Sequence, residues 1–245
     1  MTKDEIVQRI DEITMGLDDT FQFHCTKCGK CCIDREDILL TARDIYKISA
    51  YLKITPMEIF KTYCESYIGE NSRMPIVRLK PQGNAKRCVF LKNRKCIVHA
   101  AKPSVCALYP LGRFMKINND SFNEGSLGDA TVQYLLQDDV MCGDKSETHK
   151  VREWIAGFDI PVEDAAFIAW NNALAKILPR VKALEANLGP LSQMLLWNSI
   201  LVGLYLNYDT NREYLPQLTE NVENLSSLLD RTEKAVEDAR HAQDG

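Results

Sequence analysis

The sequence predicts an α+β fold, mostly α: a cysteine-rich part with short antiparallel strands over residues 1–160, then a helical bundle extension over 161–245. Three observations lead there. All nine cysteines lie before residue 143. Between Gly69 and Ile117, short apolar runs alternate with Gly, Pro and Asn, which is a strand-and-turn pattern. From His149 onward apolar residues recur at helical spacing. A chain of 245 residues, 45% hydrophobic and 26% charged, has ordinary material for one large core or two small ones.

The elements follow in order. Lys3 to Leu17 reads as an amphipathic helix with Ile6, Ile10, Ile13 and Leu17 on one face, and Phe21 to Ile33 as a loop. Thr41-Ala-Arg-Asp44 has capping-box spacing with Asp in place of Glu or Gln, and Ile45, Ile48 and Leu52 continue it as an apolar stripe. Thr55-Pro56-Met57-Glu58 is a second box, with proline at the first helical position, and opens a helix through about Tyr67. Ile76–Leu79, Cys88–Leu91, Cys96–Val98, Arg113–Ile117 and Ala130–Leu136 are strand candidates, with Lys92–Lys95 as a four-residue hairpin loop. After a break at Gly157–Pro161, Phe167, Trp170, Leu174 and Ile177 form a helical face. Leu188-Gly189-Pro190 stops one helix and starts another. Leu218, Val222, Leu225, Leu229 and Val236 line the last helix at near-heptad spacing, as bundle packing.

The N-terminus lacks the basic start, apolar middle and cleavage site of a signal peptide. Met194 to Leu206, interrupted by Asn198, Ser199 and Gly203, is too short to span a bilayer and reads as a buried core helix. The expectation is a soluble cytoplasmic chain with no membrane partner. Thiols stay reduced there, so clustered cysteines point to metal rather than to disulfides.

Residues 1–116 hold 20 Lys/Arg against 13 Asp/Glu, and 117–245 hold 10 against 21. From Asn71 to Lys116 there are eleven Lys/Arg and no acid. A surface for an anionic partner is one reading. Compensation of thiolates is the better one, because three cysteines share this stretch. No nucleic-acid module is recognisable, so no nucleic-acid partner is expected.

The first cysteine group is Cys25-x-x-Cys28-x-x-Cys31-Cys32. Two intervening residues let successive sulfurs meet one metal, and Gly29 permits the tight backbone this needs. Adjacent Cys31 and Cys32 do not point at one metal in a relaxed chain, so Cys32 serves a second metal or packs as a small apolar residue. The second group is Cys88, Cys96, Cys106 and Cys142. The hairpin reading puts Cys88 and Cys96 on paired strands. His99 is a possible nitrogen ligand, more ordinary as a structural or solvent-facing residue, and Pro103 and Pro110 stiffen the chain around Cys106. The expected metal ligands are therefore Cys25, Cys28, Cys31, Cys32, Cys88, Cys96, Cys106 and Cys142, as two four-cysteine sites or one with spare ligands. Such a field suits an iron–sulfur cluster or zinc, and spacing does not separate them. That many reduced thiols binding nothing would invite oxidation. Cys64, within the helix opened by Thr55 and far from any other cysteine, reads as a packed apolar residue.

These cysteines, together with Leu40-Thr41-x-x-Asp44-Ile45, Cys96-x-x-His99-x-x-x-Pro103-x-x-Cys106, Tyr109-Pro110 and Val151-x-x-Trp154, resemble the YkgJ-type cysteine-cluster family. That family comprises zinc- or iron-chelating domains and includes the flagellin lysine N-methylases. The resemblance covers roughly residues 21–157. Lys102 and Ala107 depart from it, standing where the family commonly shows arginines. It implies a metal cofactor and, through the N-methylase branch, a 4Fe-4S cluster in preference to zinc. It also raises an S-adenosylmethionine-dependent protein-lysine N-methylase, acting on a protein substrate. A metal-cluster protein whose cluster is structural or an electron carrier, and a zinc-stabilised scaffold binding a partner through its C-terminal helices, are the other readings. No Gly-rich loop of the Rossmann type is present. Tyr109, Tyr134 and His149 are the pocket candidates, each more ordinary as a core or surface residue, and no catalytic constellation can be derived from the sequence.

Overall fold

A computed structural model describes residues 12–116, 127, 130–137, 140 and 142–242. Its strands are β1 (Thr14–Met15), β2 (Thr20–His24), β3 (Leu39–Leu40), β4 (Cys64–Ile68), β5 (Pro75–Leu79), β6 (Pro81–Gln82), β7 (Arg87–Cys88), β8 (Leu91–Lys92), β9 (Lys95–Cys96), β10 (Leu111–Lys116), β11 (Thr131–Leu136) and β12 (Asp144–Lys150). Its α-helices are α1 (Ala42–Leu52), α2 (Pro56–Tyr63), α3 (Ser104–Leu108), α4 (Val151–Ala156), α5 (Ala165–Glu185), α6 (Pro190–Ile200) and α7 (Tyr214–His241). A π-helical stretch, Leu201–Leu206, extends α6.

Both capping boxes close. Thr41 accepts the Asp44 N–H and donates its own N–H to the Asp44 carboxylate at 2.9 Å, which starts α1. Thr55 and Glu58 do the same for α2, with Pro56 at its first position. α2 stops at Tyr63, four residues short of the predicted end, because Cys64–Ile68 instead pairs along its whole length with β5. Aromatic and β-branched residues facing a ready partner strand favour the ladder over one more helical turn. Cys64 is accordingly the first residue of β4 rather than a mid-helix residue.

Other expectations are corrected near the N-terminus. Thr14–Met15 is extended and pairs with β11, so the helix predicted over Lys3–Leu17 ends by Ile13; Ile6 and Ile10 lie outside the described residues. The turn at Gly16–Asp19, closed by the Gly16 N–H on the Asp19 carboxylate at 2.7 Å, reverses the chain into β2. β2 occupies the start of the predicted loop, and His149 lies in its partner β12, so helix begins only at Val151. Ile117, the predicted end of β10, is also outside the described residues.

The strands form two three-stranded antiparallel sheets, β3-β5-β4 and β1-β11-β10, and three two-stranded ribbons. Two apolar cores result. The larger is built jointly from Ile45, Ile48, Ile59, Val77 and Phe90 on one side and Trp170, Ile177, Leu204, Leu218 and Leu229 on the other. The change of character near residue 160 is thus a change of secondary structure across which one core continues. The smaller core gathers Phe21, Phe23, Leu108, Leu111, Tyr134, Val151 and Ile155. α3 lies where the two meet: Val105 and Cys106 pack on the larger, Ala107 and Leu108 enter the smaller.

Met194–Leu206 is only half interior. Leu196, Ile200 and Leu204 are buried, but Met194, Leu195 and Val202 are exposed. Gly203 lets this stretch lie against α7, since a Cβ there would fall 3.0 Å from Leu225. Among the described residues, no helix is long and apolar enough to cross a membrane.

One buried ion cluster ties the halves together. Asp164, the N-cap of α5, accepts the Phe167 N–H and pairs with Arg43 at 2.7 Å and Arg113 at 2.9 Å; its side chain is 2% exposed and that of Arg113 5%. Arg113 also covers the Phe167 ring at 3.8 Å. Removing one partner of such a pair strands the other charge, so Asp164→Ala should destabilise the fold by about 3–5 kcal/mol. The exposed cap change Thr55→Ala should cost only about 1 kcal/mol. Urea unfolding of both variants checks the contrast.

Candidate metal centre

Among the described residues, which include all nine cysteines, no disulfide forms. Cys64 is 2% exposed within the larger core, apart from the others, as expected of a packed apolar residue. The remaining eight come together from five places in the chain. Six of them, Cys25, Cys31, Cys32, Cys88, Cys96 and Cys106, wall a cavity of about 360 Å³. Cys28 and Cys142 stand behind Cys31: the Cys28 and Cys142 thiols contact each other, and Cys142 contacts Cys31. Cys31 and Cys32 form a 3-10 turn that brings their sulfurs to 3.9 Å, so the adjacent pair faces one region after all.

The local backbone explains these positions. Gly29 adopts φ 74°, and its α-carbon lies so close to Arg94 that a Cβ would be 3.4 Å from the Arg94 carbonyl oxygen. The first cysteine loop therefore rests on the β8–β9 hairpin. That hairpin turns on two residues rather than the four predicted, Asn93 and Arg94, with φ 49° and 62°. Positive φ at both central residues suits the twist of a tight antiparallel ribbon. Cys96 pairs with Leu91 and Cys88 with Pro81, so the two cysteines lie on different ribbons, correcting the paired-strand reading. They meet at the cavity nonetheless. Gly143, φ 81°, is required beside Cys142, because a Cβ there would fall 2.5 Å from Phe23.

A pattern recurs at the sulfurs. The backbone N–H two residues on points at Cys28 (from Lys30), at Cys88 (from Phe90) and at Cys96 (from Val98). Leu91 adds a second donor to Cys88, and Gly143 one to Cys28. Such donors stabilise sulfur that carries charge. At Cys28 they prevail over burial and hold the thiol below its usual range. Elsewhere the free thiols are pushed up: Cys31 by the hydrogen shared with Cys32 and then by burial, Cys106, Cys88 and Cys96 chiefly by burial, and Cys142 by burial to about 11.

Basic residues complete the wall: Lys27, Arg35, Arg94, Lys95 and Lys102, with no carboxylate among the described lining residues. Arg35 is tied to Asp37 at 2.6 Å. Lys102 lies among Cys106, Cys25, Cys31 and Cys96, with its amine 4.0 Å from the centre of the Phe158 ring, and burial lowers its pKa. His99 lines the cavity as an exposed residue, its pKa lowered by burial and by Lys102 and Lys27. Arg94, Lys95 and Lys102 belong to the acid-free stretch noted in the sequence. Lys27 and Arg35 carried no sequence signal.

Of the three pocket candidates, Tyr109 alone lines the cavity, and it also meets the Cys142 thiol. Tyr134 is buried in the smaller core beside Arg113. The His149 Nε2–H donates to the Phe23 carbonyl at 2.9 Å, and the ring packs on Trp154. Among the described residues, no three of His, Cys, Asp and Glu converge on a point fit for a single ion. The thiols surround a space instead.

Residues 24–142 match the model of the CxxCxxCC family, described as "Putative zinc- or iron-chelating domain". This segment is a CxxCxxCC domain. The match begins one residue before Cys25 and ends on Cys142, so the CxxCxxCC domain contains all eight clustered cysteines and supports metal binding. An uncharacterized protein of Methanocaldococcus jannaschii is 38% identical over 93 residues, 36% of this chain. The match spans 44% of that relative's length. No solved structure matches the chain.

Two thiol tests follow. Cys64→Ser should leave metal content unchanged, while Cys28→Ser or Cys96→Ser should lower it, as read by elemental analysis of the purified variants. In metal-free protein at neutral pH, iodoacetamide should label Cys28 well before Cys106, because the lowered group holds more thiolate and the raised one less. Peptide mass spectrometry gives the order.

Proposed function

We propose that the CxxCxxCC domain holds an iron–sulfur cluster of the 4Fe-4S type on thiolates drawn from Cys25, Cys28, Cys31, Cys32, Cys88, Cys96, Cys106 and Cys142, in a reducing, cytosolic setting. The observation that carries this reading is the cavity. Six cysteines line about 360 Å³ without any three converging on one ion among the described residues. A structural zinc site is closed, with four ligands drawn tightly onto one atom. Thiols spaced around a volume suit a body larger than an ion.

The surroundings fit the same group. Backbone N–H groups aimed at Cys28, Cys88 and Cys96 are the hydrogen bonds to sulfur that tune such a cluster. Lys27, Arg94, Lys95 and Lys102 supply positive charge where thiolates would concentrate negative charge. Four thiolates hold one 4Fe-4S cluster, and eight provide two sets. Bound, it would supply one-electron chemistry. The chain's own part is to position the thiols, donate to their sulfurs and wall them with Leu79, Phe90 and Val105.

Full-length protein purified anaerobically from iron-replete cells should be brown, with iron and acid-labile sulfide in about equal amounts, as the cluster formula requires. Colourless protein with zinc as its sole metal under the same handling would overturn the proposal.

A further inference from the structure

The capping boxes that open α1 and α2 differ in one respect. In the α2 box, Glu58 is exposed and uses a single oxygen, Oε2, for both of its bonds to Thr55. In the α1 box, Asp44 is 2% exposed and uses both oxygens. Its Oδ2 accepts from the Thr41 N–H at 2.9 Å and the Thr41 hydroxyl at 2.8 Å. Its Oδ1 points away from α1 and accepts from the Ser104 N–H and the Ser104 hydroxyl, both at 2.7 Å. Capping α1 does not require that second pair of bonds.

Ser104 is the first residue of α3, and Pro103 before it offers no side-chain acceptor. The opening N–H groups of a helix have no partner within it. Asp44 supplies that partner from another element, sixty residues away. The other end of α3 is held too: the Trp154 indole N–H donates to the Leu108 carbonyl at 3.0 Å. Cys106 lies between these two ties and walls the cavity. α3 has five residues, far too few to be stable unaided.

We propose that Asp44 is a positioning residue of the metal centre, capping α3 across the fold so that Cys106 is presented to the cavity. The inference rests on the reading of Cys106 as a ligand. The aspartate in place of Glu or Gln at the third position of the box thereby gains a purpose. One buried carboxylate serves two helix starts, and its position is fixed by α1.

Cobalt(II) binding to the full metal-free chain under anaerobic conditions tests this, because thiolate-to-cobalt absorption reports how many sulfurs bind. Asp44→Ala should weaken cobalt affinity by about 10–100-fold, the usual cost of losing a group that orients a ligand, and lower the thiolate band per bound ion. Ser104→Ala should shift both in the same direction by less. Thr41→Val removes the capping hydroxyl but leaves the bonds to Ser104; it should lower the thermal midpoint with the affinity and the band unchanged. An Asp44→Ala protein with wild-type affinity and band overturns the proposal. So does a Thr41→Val protein that loses as much as Asp44→Ala, since capping of α1 would then explain everything. Should Asp44→Ala fail to fold, Ser104→Ala and Thr41→Val decide between these outcomes. A wild-type chain showing no thiolate-to-cobalt band would instead remove the ligand reading on which the inference rests.

Discussion

Two neighbouring side chains at the start of α1 tie together the parts of the chain that bear on the thiols. Arg43 reaches Asp164, which starts α5 and also holds Arg113 of β10. Asp44 reaches Ser104, which starts α3. Beneath them, Ile45 and Ile48 are fully buried in the larger core. The first turn of α1 therefore serves as a reference point for three later elements, and a shift of this turn would displace them together. Buried charged groups tolerate such a role only when paired or hydrogen-bonded; both carboxylates meet that condition, while the Arg113 Nε is buried without a hydrogen-bond partner among the described residues.

Against this frame the thiols are an electrostatic problem. Burial raises Cys88, Cys96, Cys106 and Cys142, and the hydrogen shared with Cys32 raises Cys31, which favours the protonated form of these five in the metal-free cavity. Metal ligation reverses that state, since each ligand must give up its proton. The wall is prepared for the reversal. Lys102 is buried among four cysteines and lies over Phe158, while Lys27, Arg94 and Lys95 ring the opening. The absence of acidic residues from 71 to 116 places no carboxylate of that stretch where it would oppose the thiolates. Compensation thus has a definite location in the fold.

What the sequence made legible was local. Both capping boxes, the proline at the start of α2, the Leu188-Gly189-Pro190 break and the stripe of α7 depend on residues a few positions apart, and each appears as read. Features that depend on distant partners were not legible. α2 stops early because β5 offers Cys64–Ile68 a ladder. The hairpin is tighter than expected because Arg94 takes a left-handed conformation that glycine usually signals. At the site, cysteine spacing foretold a gathering of eight. It could not foretell that Cys88 and Cys96 occupy separate ribbons, that Tyr134 and His149 face elsewhere, or that Lys27 and Arg35 line the wall.

The shared core bears on how such a chain can evolve. Ile45, Ile48 and Val77 of the cysteine-bearing segment bury themselves against Ile177, Leu204 and Leu218 of the helices that follow. A segment with a closed interior can be spliced between proteins like a bead on a string. This one cannot, because cutting near residue 160 would open a greasy face on each side. Any lineage that keeps the thiols while exchanging the C-terminal helices must rewrite the core-facing sides of α1 and β5 at the same time. Sequence drift in those two elements should therefore follow the helices they touch rather than the cysteines beside them.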